Sequence, residues 1–417
     1  LTAEILVKLA TIYGVDAASF HREGGEETKT KLEEILRDPL FKDLDLPMGE
    51  VGDLVMATPN MAEAFLRLYT AHREGQIALA DQQTTSPTRT DPIEETRRFL
   101  LRHHNYFPVL DAKAERIAAK AQGLEGLTLH LKEKHGLTVK RRPPDLMNGM
   151  VRWFEPHRRE LSLSDTLDRA STVFQAALQI AYLELTGEIE AALSETTFQD
   201  NSSYLMAKRA LANYAAGAIL LPYTFFFKEA EIRQYDIEAL GRRFGASFEQ
   251  TAHRLTTLQK PGSEGVPFFF IRVDPAGNVS KRLDGGGFPF ARHGGSCPLW
   301  SLHHSFRRPR EIVTEFLELP EGERFFSISR TVTSGGGEYD RPQITRAVAL
   351  GCRIDQAHRL VYAQNIDFDV YPPTPIGVTC RLCQRGDCAA RAEPPLGRAL
   401  LPDDYRRMNA PFGFADI

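Results

Sequence analysis

The sequence predicts an α+β multidomain protein, and three observations carry that reading. Up to about residue 260 the apolar residues recur at helical spacing, interrupted by only a few strand-length alternations. Beyond residue 262 short apolar runs alternate with glycine-rich turns, which predicts a separate α/β domain. All five cysteines lie in that last segment, three of them within nine residues.

Length and charge set the outer limits. A chain of 417 residues exceeds one small core and suggests two or three domains. Lys and Arg number 51 against 55 Asp and Glu, a formal net charge of -4. No overall basic field therefore advertises nucleic-acid binding, and any DNA contact must come from a local surface or from residues outside this sequence. The chain opens at Leu1 rather than Met, which implies that something upstream is not included. No secretory or transit segment is visible, so the expected location is the cytoplasm.

The first segment, residues 1–90, reads as helical. Ile5, Leu6, Leu9 and Ile12 share one face, Thr2 is placed to cap the start and Gly14 to end the helix. Polar stretches at 24–27 and 81–90 read as linkers. The second segment, 91–261, opens with Asp91 as N-cap and Pro92 at the first helical position. Strands are predicted at Leu137–Lys140, Met150–Phe154 and Arg159–Leu163. Asp165 is then expected to cap an apolar helix running through Leu185, followed by a helix from Ala207 to Leu221. The longest uncharged stretch, Ala210–Phe227, raises the question of a membrane span. It contains Asn213, Gly217, Pro222 and Thr224, and Lys208, Arg209 and Lys228 bracket it closely, so a buried helix ending at Pro222 is predicted and no membrane. The third segment, 262–417, places strands at Val266–Val273, Phe325–Val332 and Ala347–Gly351 between turns such as Asp284–Gly287 and Ser334–Gly337. Phe268–Phe270 reads as a buried strand. Phe225–Phe227 reads as core packing, or as the cover of a pocket or dimer contact.

Chemistry concentrates at Cys380, Cys383 and Cys388, a C-x2-C-x4-C arrangement. Two thiolates three residues apart turn inward on one tight loop while the intervening N–H groups face the sulfurs, as a metal or an iron–sulfur cluster requires. The fourth ligand is expected from Cys297 or Cys352, with His303 or His304 as a replacement. An odd cysteine count speaks against a disulfide framework. Spacing leaves zinc and a [4Fe-4S] cluster both open.

Two helices in the middle segment carry a resemblance. Leu211-Ala212-Asn213-Tyr214-Ala215-Ala216-Gly217-Ala218-Ile219-Leu220-Leu221-Pro222 is similar to the second motif of the zincin-like domain of the ImmA/IrrE metallopeptidase family, E-A-N-x-F-A-A-x-L-L-M-P. Phe174–Tyr182 resembles that family's HExxH helix. The resemblance puts Leu178 and Tyr182 at the two histidine positions, Gln179 at the catalytic glutamate and Leu211 at the third metal ligand. A zinc peptidase needs two imidazoles one turn apart, a third ligand and a carboxylate to activate water. None is present, and no other HExxH occurs among the twelve histidines.

The wider layout resembles the short-chain fatty acyl-CoA regulator family of bacterial transcription factors. The stretches that carry it are Ser247–Gln259, Gly265–Phe270, Cys297–Trp300, the cysteine loop and Arg391–Pro395. The resemblance implies a cytoplasmic, homodimeric regulator, not an enzyme, that binds a short acyl-CoA such as propionyl-CoA or acetyl-CoA. It also implies DNA binding through a helix-turn-helix preceding Leu1, of which Leu1–Phe20 resembles only the last helix. Candidate ligand residues are Leu178, Tyr182 and Leu211, as walls of an apolar cavity left by the lost zinc site. Lys281, Arg282, Arg307 and Arg308 are candidate cations for the coenzyme phosphates. Two alternatives stay open: a redox or oxygen sensor working through an iron–sulfur cluster at Cys297, Cys380, Cys383 and Cys388, or a residual hydrolase. Against the hydrolase, the sequence holds no nucleophile elbow and no phosphate loop.

Overall fold

Helices fill the chain from Pro92 to Leu255, and a six-stranded sheet follows. The structure is a computed structural model that describes residues 28–29, 32, 36, 48–66, 68–69, 91–291, 295–320, 322–335, 339, 342–395, 400–403, 405–411 and 413–414. The predicted helix at 1–14 and the linkers at 24–27 and 81–90 lie outside the described residues. Residues 1–89 with 394–408 and 412–417 form one unit, and residues 90–393 with 409–411 form the other. In the first unit helix α1 (Met48–Ala57) contributes Val51 and Val55 to a small cluster with Leu32, Ala62 and Leu66.

The second unit begins as predicted. Asp91 accepts the N–H of Ile93 at 2.9 Å and caps α2 (Pro92–Arg102), which starts on its proline. Helices α3 (Pro108–Ala118) and α4 (Gly123–His135) follow, the latter ended by Gly136 at φ 67°. Strands β1 (Thr138–Arg142), β2 (Arg152–Glu155) and β3 (Glu160–Ser164) form a small sheet in the order β1-β3-β2. Next come α5 (Arg169–Glu184), α6 (Thr186–Ser194), α7 (Asn201–Leu220), α8 (Tyr223–Ile232), α9 (Ile237–Phe244) and α10 (Phe248–Leu255).

The cap of α5 is Asp168, whose side chain accepts the N–H of Ser171 at 2.7 Å, and not Asp165 as expected. Asp165 still belongs to the sheet, its N–H donating to the carbonyl of Arg142. Likewise α7 starts at Asn201, capped by Asp200, six residues before its predicted start. Helices α5 and α7 pack through small residues, Ala176, Ala177 and Ala181 on one and Ala207, Ala212 and Ala215 on the other, all buried. No single described helix is long and apolar enough to cross a membrane; α7 and α8 pass such a test only as a pair, bent by 65° at Leu221–Pro222.

The last segment is antiparallel rather than the α/β alternation expected. Strands β4 (Phe269–Val273), β5 (Val279–Leu283), β6 (Val313–Glu318), β7 (Arg324–Gly335), β8 (Gln343–Arg353) and β9 (Thr374–Pro375) run in the order β9-β6-β7-β8-β4-β5. Only the two-residue β9–β6 pair is parallel. Among the described residues no α-helix follows Leu255, only short 3-10 segments such as Ser301–Arg307. The reason lies in the turns: tight glycine turns join antiparallel neighbours, whereas parallel strands need a crossover of a dozen residues or more.

Alternation along Phe268-Phe269-Phe270 divides the core. Phe268 and Phe270 join Leu221, Tyr223, Phe226 and Leu255 of the helices with Val348 and Leu350 of β8. The boundary expected at 261/262 therefore runs through a shared core. Phe269 faces the other way, with Phe288, Trp300 and Phe325. Its ring lies against Gly351, where a Cβ would stand 2.2 Å from it, so that position requires glycine.

Candidate functional site

Three places matter: the former peptidase centre, a cavity beside it, and the cysteine loop. At the first, the chain has closed the site. Leu178 and Leu211 are buried in the helical core, at 7% and 0% exposure, and neither lines the neighbouring cavity. This corrects the expectation that losing the zinc ligands leaves an apolar hollow there. Arg152 of β2 donates to Gln179 Oε1 at 2.5 Å, and its guanidinium carbon lies 5.2 Å from the Tyr182 ring centroid. A guanidinium thus touches two of the positions that would surround a metal. Burial lowers the Arg152 pKa.

One turn away a cavity of about 390 Å³ opens between α5, α7, α10 and the β4–β5 hairpin. Phe174, Tyr214, Leu220 and Leu221 give it apolar walls, and His253, Arg254, Arg272 and Lys281 bring nitrogen. Two of these four, Arg254 and Arg272, are already committed to carboxylates. Arg254 is 2% exposed, pairs with the buried carboxylate of Asp111 and donates to the Leu221 carbonyl at 3.0 Å and Thr257 Oγ1 at 2.9 Å. Tyr214 donates to the same carboxylate, and burial raises its pKa well above the usual value. Arg272 pairs with Glu249 at 2.6 Å. Burial lowers the His253 pKa well below the ordinary imidazole value, so this ring is neutral.

Lys281 is the exception. Among the described residues it has no hydrogen bond or ion pair; its Nζ lies 6.0 Å from the Phe270 ring centroid, and burial pushes its pKa down to about 8. Its sequence neighbour Arg282 points to the opposite face of β5, where it bonds Glu94 of α2 and the carbonyl of Ala291. Arg307 and Arg308 are exposed at the end of the Ser301–Arg307 segment. The four expected cations therefore do not converge; only Lys281 reaches the cavity.

The cysteines do converge. Cys297, Cys380, Cys383 and Cys388 line one small cavity with Gly377, Arg385 and Arg391. Cys352 does not take part: it lies on β8 in the core, where burial pushes its thiol up to about 12. Neither His303 nor His304 lines this cavity, and His303 bonds Ser296 instead. Cys297 accepts backbone N–H groups from Gly377 and Leu299, and Cys380 accepts that of Ala392 at 3.4 Å. Burial raises the Cys297 pKa. At Gly377 a Cβ would stand 2.8 Å from Cys383 Sγ, so the backbone passes directly beside the sulfur. Arg391, 3% exposed, ties the loop by donating to the carbonyls of Cys380, Cys383 and Arg385 at 2.8, 3.0 and 2.6 Å. Among the described residues no three of these sulfurs lie within 4.8 Å of one another, a condition that only His130, His135 and Glu184 meet.

Sequence reasoning missed His253, Arg254 and Arg272 as cavity residues and Arg391 as the tie of the cysteine loop. The available signal was the His253-Arg254 pair on a helix rich in uncharged residues; nothing local marked Arg391.

Two family models match successive parts of the chain. Residues 132–256 match the IrrE N-terminal-like domain, and residues 257–412 match the family described as "Short-chain fatty acyl coenzyme A regulator, C-terminal". The HTH-type transcriptional regulator RamB of Mycobacterium tuberculosis is 37% identical over 99% of this chain and 90% of its own length. The propionyl-CoA carboxylase regulator of Cereibacter sphaeroides is 36% identical over 100% of this chain and 90% of its own length. A solved structure titled "Mycobacterium tuberculosis transcriptional regulator" aligns with a TM-score of 0.73 and 37% identity, covering 78% of this chain and all of that one. These relatives are named as regulators and not as enzymes. The chain belongs to the short-chain fatty acyl coenzyme A regulator family.

Proposed function

We propose that this protein is a bacterial transcriptional regulator whose effector, a short-chain acyl-CoA, places its acyl end in the cavity beside the former peptidase centre. The observation that carries this reading is Lys281, an ammonium with no hydrogen bond or ion pair among the described residues, on the wall of a 390 Å³ cavity where Glu249 is the carboxylate that attracts it. A desolvated cation is costly to leave unpaired, and an oxygen of the thioester or a phosphate offsets that cost. Phe174, Tyr214 and Leu220 supply the apolar wall that a short acyl chain needs. Binding changes the hold on DNA only if the ligand prefers one arrangement of a homodimer over another. Propionate and acetate metabolism is the natural regulon for such a ligand, and the cytoplasm its location. Calorimetric titration with propionyl-CoA, acetyl-CoA, free coenzyme A and propionate tests the reading. The acyl-CoAs should bind more tightly than either half alone, and no binding at millimolar acyl-CoA sinks it.

A second input is supported by the cysteines. A zinc ion with Zn–S bonds of about 2.3 Å would draw four sulfurs to about 3.8 Å apart. Four cysteines around one cavity suit a thiolate-bound guest, and we assign Cys297, Cys380, Cys383 and Cys388 to an iron–sulfur cluster, with zinc as the competing guest. Gly377 and Leu299 N–H groups on Cys297, with Arg391 behind the loop, suit a negatively charged thiolate centre. Redox or oxygen sensing follows if the cluster changes state in the working range.

A further inference from the structure

The set of metal-type ligands drawn closest together lies away from both the cavity and the cysteines. Glu184 is the last residue of α5; His130 and His135 lie five residues apart near the end of α4. Nε2 of His130 and Nε2 of His135 both converge on the same carboxylate oxygen, Glu184 Oε1, at 2.6 and 2.8 Å. The other oxygen, Oε2, is held by Lys134 Nζ at 2.6 Å. All three ligand atoms lie within 4.8 Å of one another, and the three side chains are 14%, 21% and 10% exposed. They are half-buried enough to be ordered and open enough for an ion to enter.

The donor set is specific in its chemistry. Lys134 alone suffices to neutralise the carboxylate, so charge balance does not require two imidazoles on one oxygen. Two neutral imidazoles and one carboxylate oxygen suit zinc, cobalt, nickel or ferrous iron, whereas calcium and magnesium prefer an all-oxygen shell. Tetrahedral bonds of about 2.0–2.1 Å separate donor atoms by about 3.3 Å. The two imidazole-to-carboxylate spacings, 2.6 and 2.8 Å, are about half an ångström or more shorter, so the side chains turn outward by that amount to admit an ion. The lysine on Oε2 fixes the carboxylate as a one-oxygen ligand and leaves a fourth position open to water. None of these residues stands at the former peptidase positions 178, 179, 182 or 211.

We propose that His130, His135 and Glu184 form a binding site for a borderline divalent metal such as zinc, which clamps the C-terminal ends of α4 and α5 together. The clamp acts on a helix whose first half, through Phe174 and Gln175, lines the cavity. The test is direct. Crystals of the full chain are soaked in cobalt chloride and measured at the cobalt absorption edge. In parallel the protein, with its cysteine centre loaded, is titrated with cobalt as wild type and as the His130→Gln/His135→Gln double variant. The expected results are an anomalous peak between the three side chains, and one more equivalent of cobalt bound by the wild type than by the variant, with unchanged cysteine-site absorbance in both. No anomalous peak at these side chains, or equal cobalt binding by a folded variant, overturns the proposal and leaves a hydrogen-bonded hub only. Where the double variant fails to fold, seen as lost helical circular dichroism, the wild-type crystal decides alone.

Discussion

Two regions of this chain, the peptidase-like frame and the cysteine loop, contrast in what each keeps. The peptidase frame keeps its helices and has lost its chemistry. Alanine faces on α5 and α7 maintain the packing whatever the ligand positions hold, so Leu178 and Leu211 could enter the core without disturbing it. The guanidinium of Arg152 now rests on Gln179 and Tyr182, a cation with fixed bonds that offers no coordination position to a water. The cysteine loop is the reverse: it has almost no regular secondary structure, yet its three cysteines and Cys297 line one cavity. Donor atoms held by backbone N–H groups and one buried arginine make a site; a helical scaffold by itself does not.

The sharpest way to break this contrast is to remove one sulfur. Cys383→Ser should lower the iron content and the brown absorption near ~400 nm of anaerobically purified protein, because losing one of four thiolates weakens the hold on the cluster. Metal analysis measures it, and a wild type that carries zinc and no iron would refute the cluster. On the other side of the comparison, the helical frame should break at its buried charges and not at its old ligand positions. Asp111→Ala leaves the Arg254 guanidinium buried and unpaired and should cost about 3–5 kcal/mol in urea unfolding. Tyr182→Phe should change stability by less than about 0.5 kcal/mol. Equal losses in the two variants would mean that the former centre still carries structural weight. Between these in size is Lys281→Met, which removes one charge-assisted hydrogen bond to the ligand and should weaken propionyl-CoA binding about 10- to 100-fold without lowering the melting temperature.

What the sequence disclosed follows the range of the forces involved. Local signals read well: Asp91 with Pro92 and the three short strands near 138–164 are set by capping and alternation. The cysteine spacing announced its loop for the same reason. Choices between near-equivalent residues did not read, and Asp165 and Asp168 are both plausible caps until the Arg142–Asp165 hydrogen bond claims the first for the sheet edge. Long-range convergence was legible only in part. Cys297 and Cys352 looked alike in sequence, and only the sheet register, which pairs Cys352 with Phe326 inside the core, separates them. Lys281 and Arg282 looked like one basic patch, although a strand sends neighbours to opposite faces. Arg391 has no local signature, because its role is to bind carbonyls on a loop whose shape is not periodic.

The Lys281 prediction also tests whether the cavity is a ligand site. Burial holds the Lys281 pKa down to about 8, so its ammonium is present below that pH and is lost as the pH rises through it. Affinity for propionyl-CoA should therefore be flat below pH 8 and fall above it, approaching the Lys281→Met value and never passing below it; the variant itself should show no such step. Protein stability moves the other way. Over the window between about 8 and the ordinary lysine value of 10.5 the unfolded chain binds more protons at this residue than the folded one, so this group makes folding more favourable as pH rises. A loss of binding above pH 8 thus cannot be blamed on unfolding driven by Lys281. Calorimetry at three pH values on both proteins separates the two effects, and a wild type whose affinity is level across pH 8 would remove Lys281 from the ligand site while leaving the rest of the cavity intact.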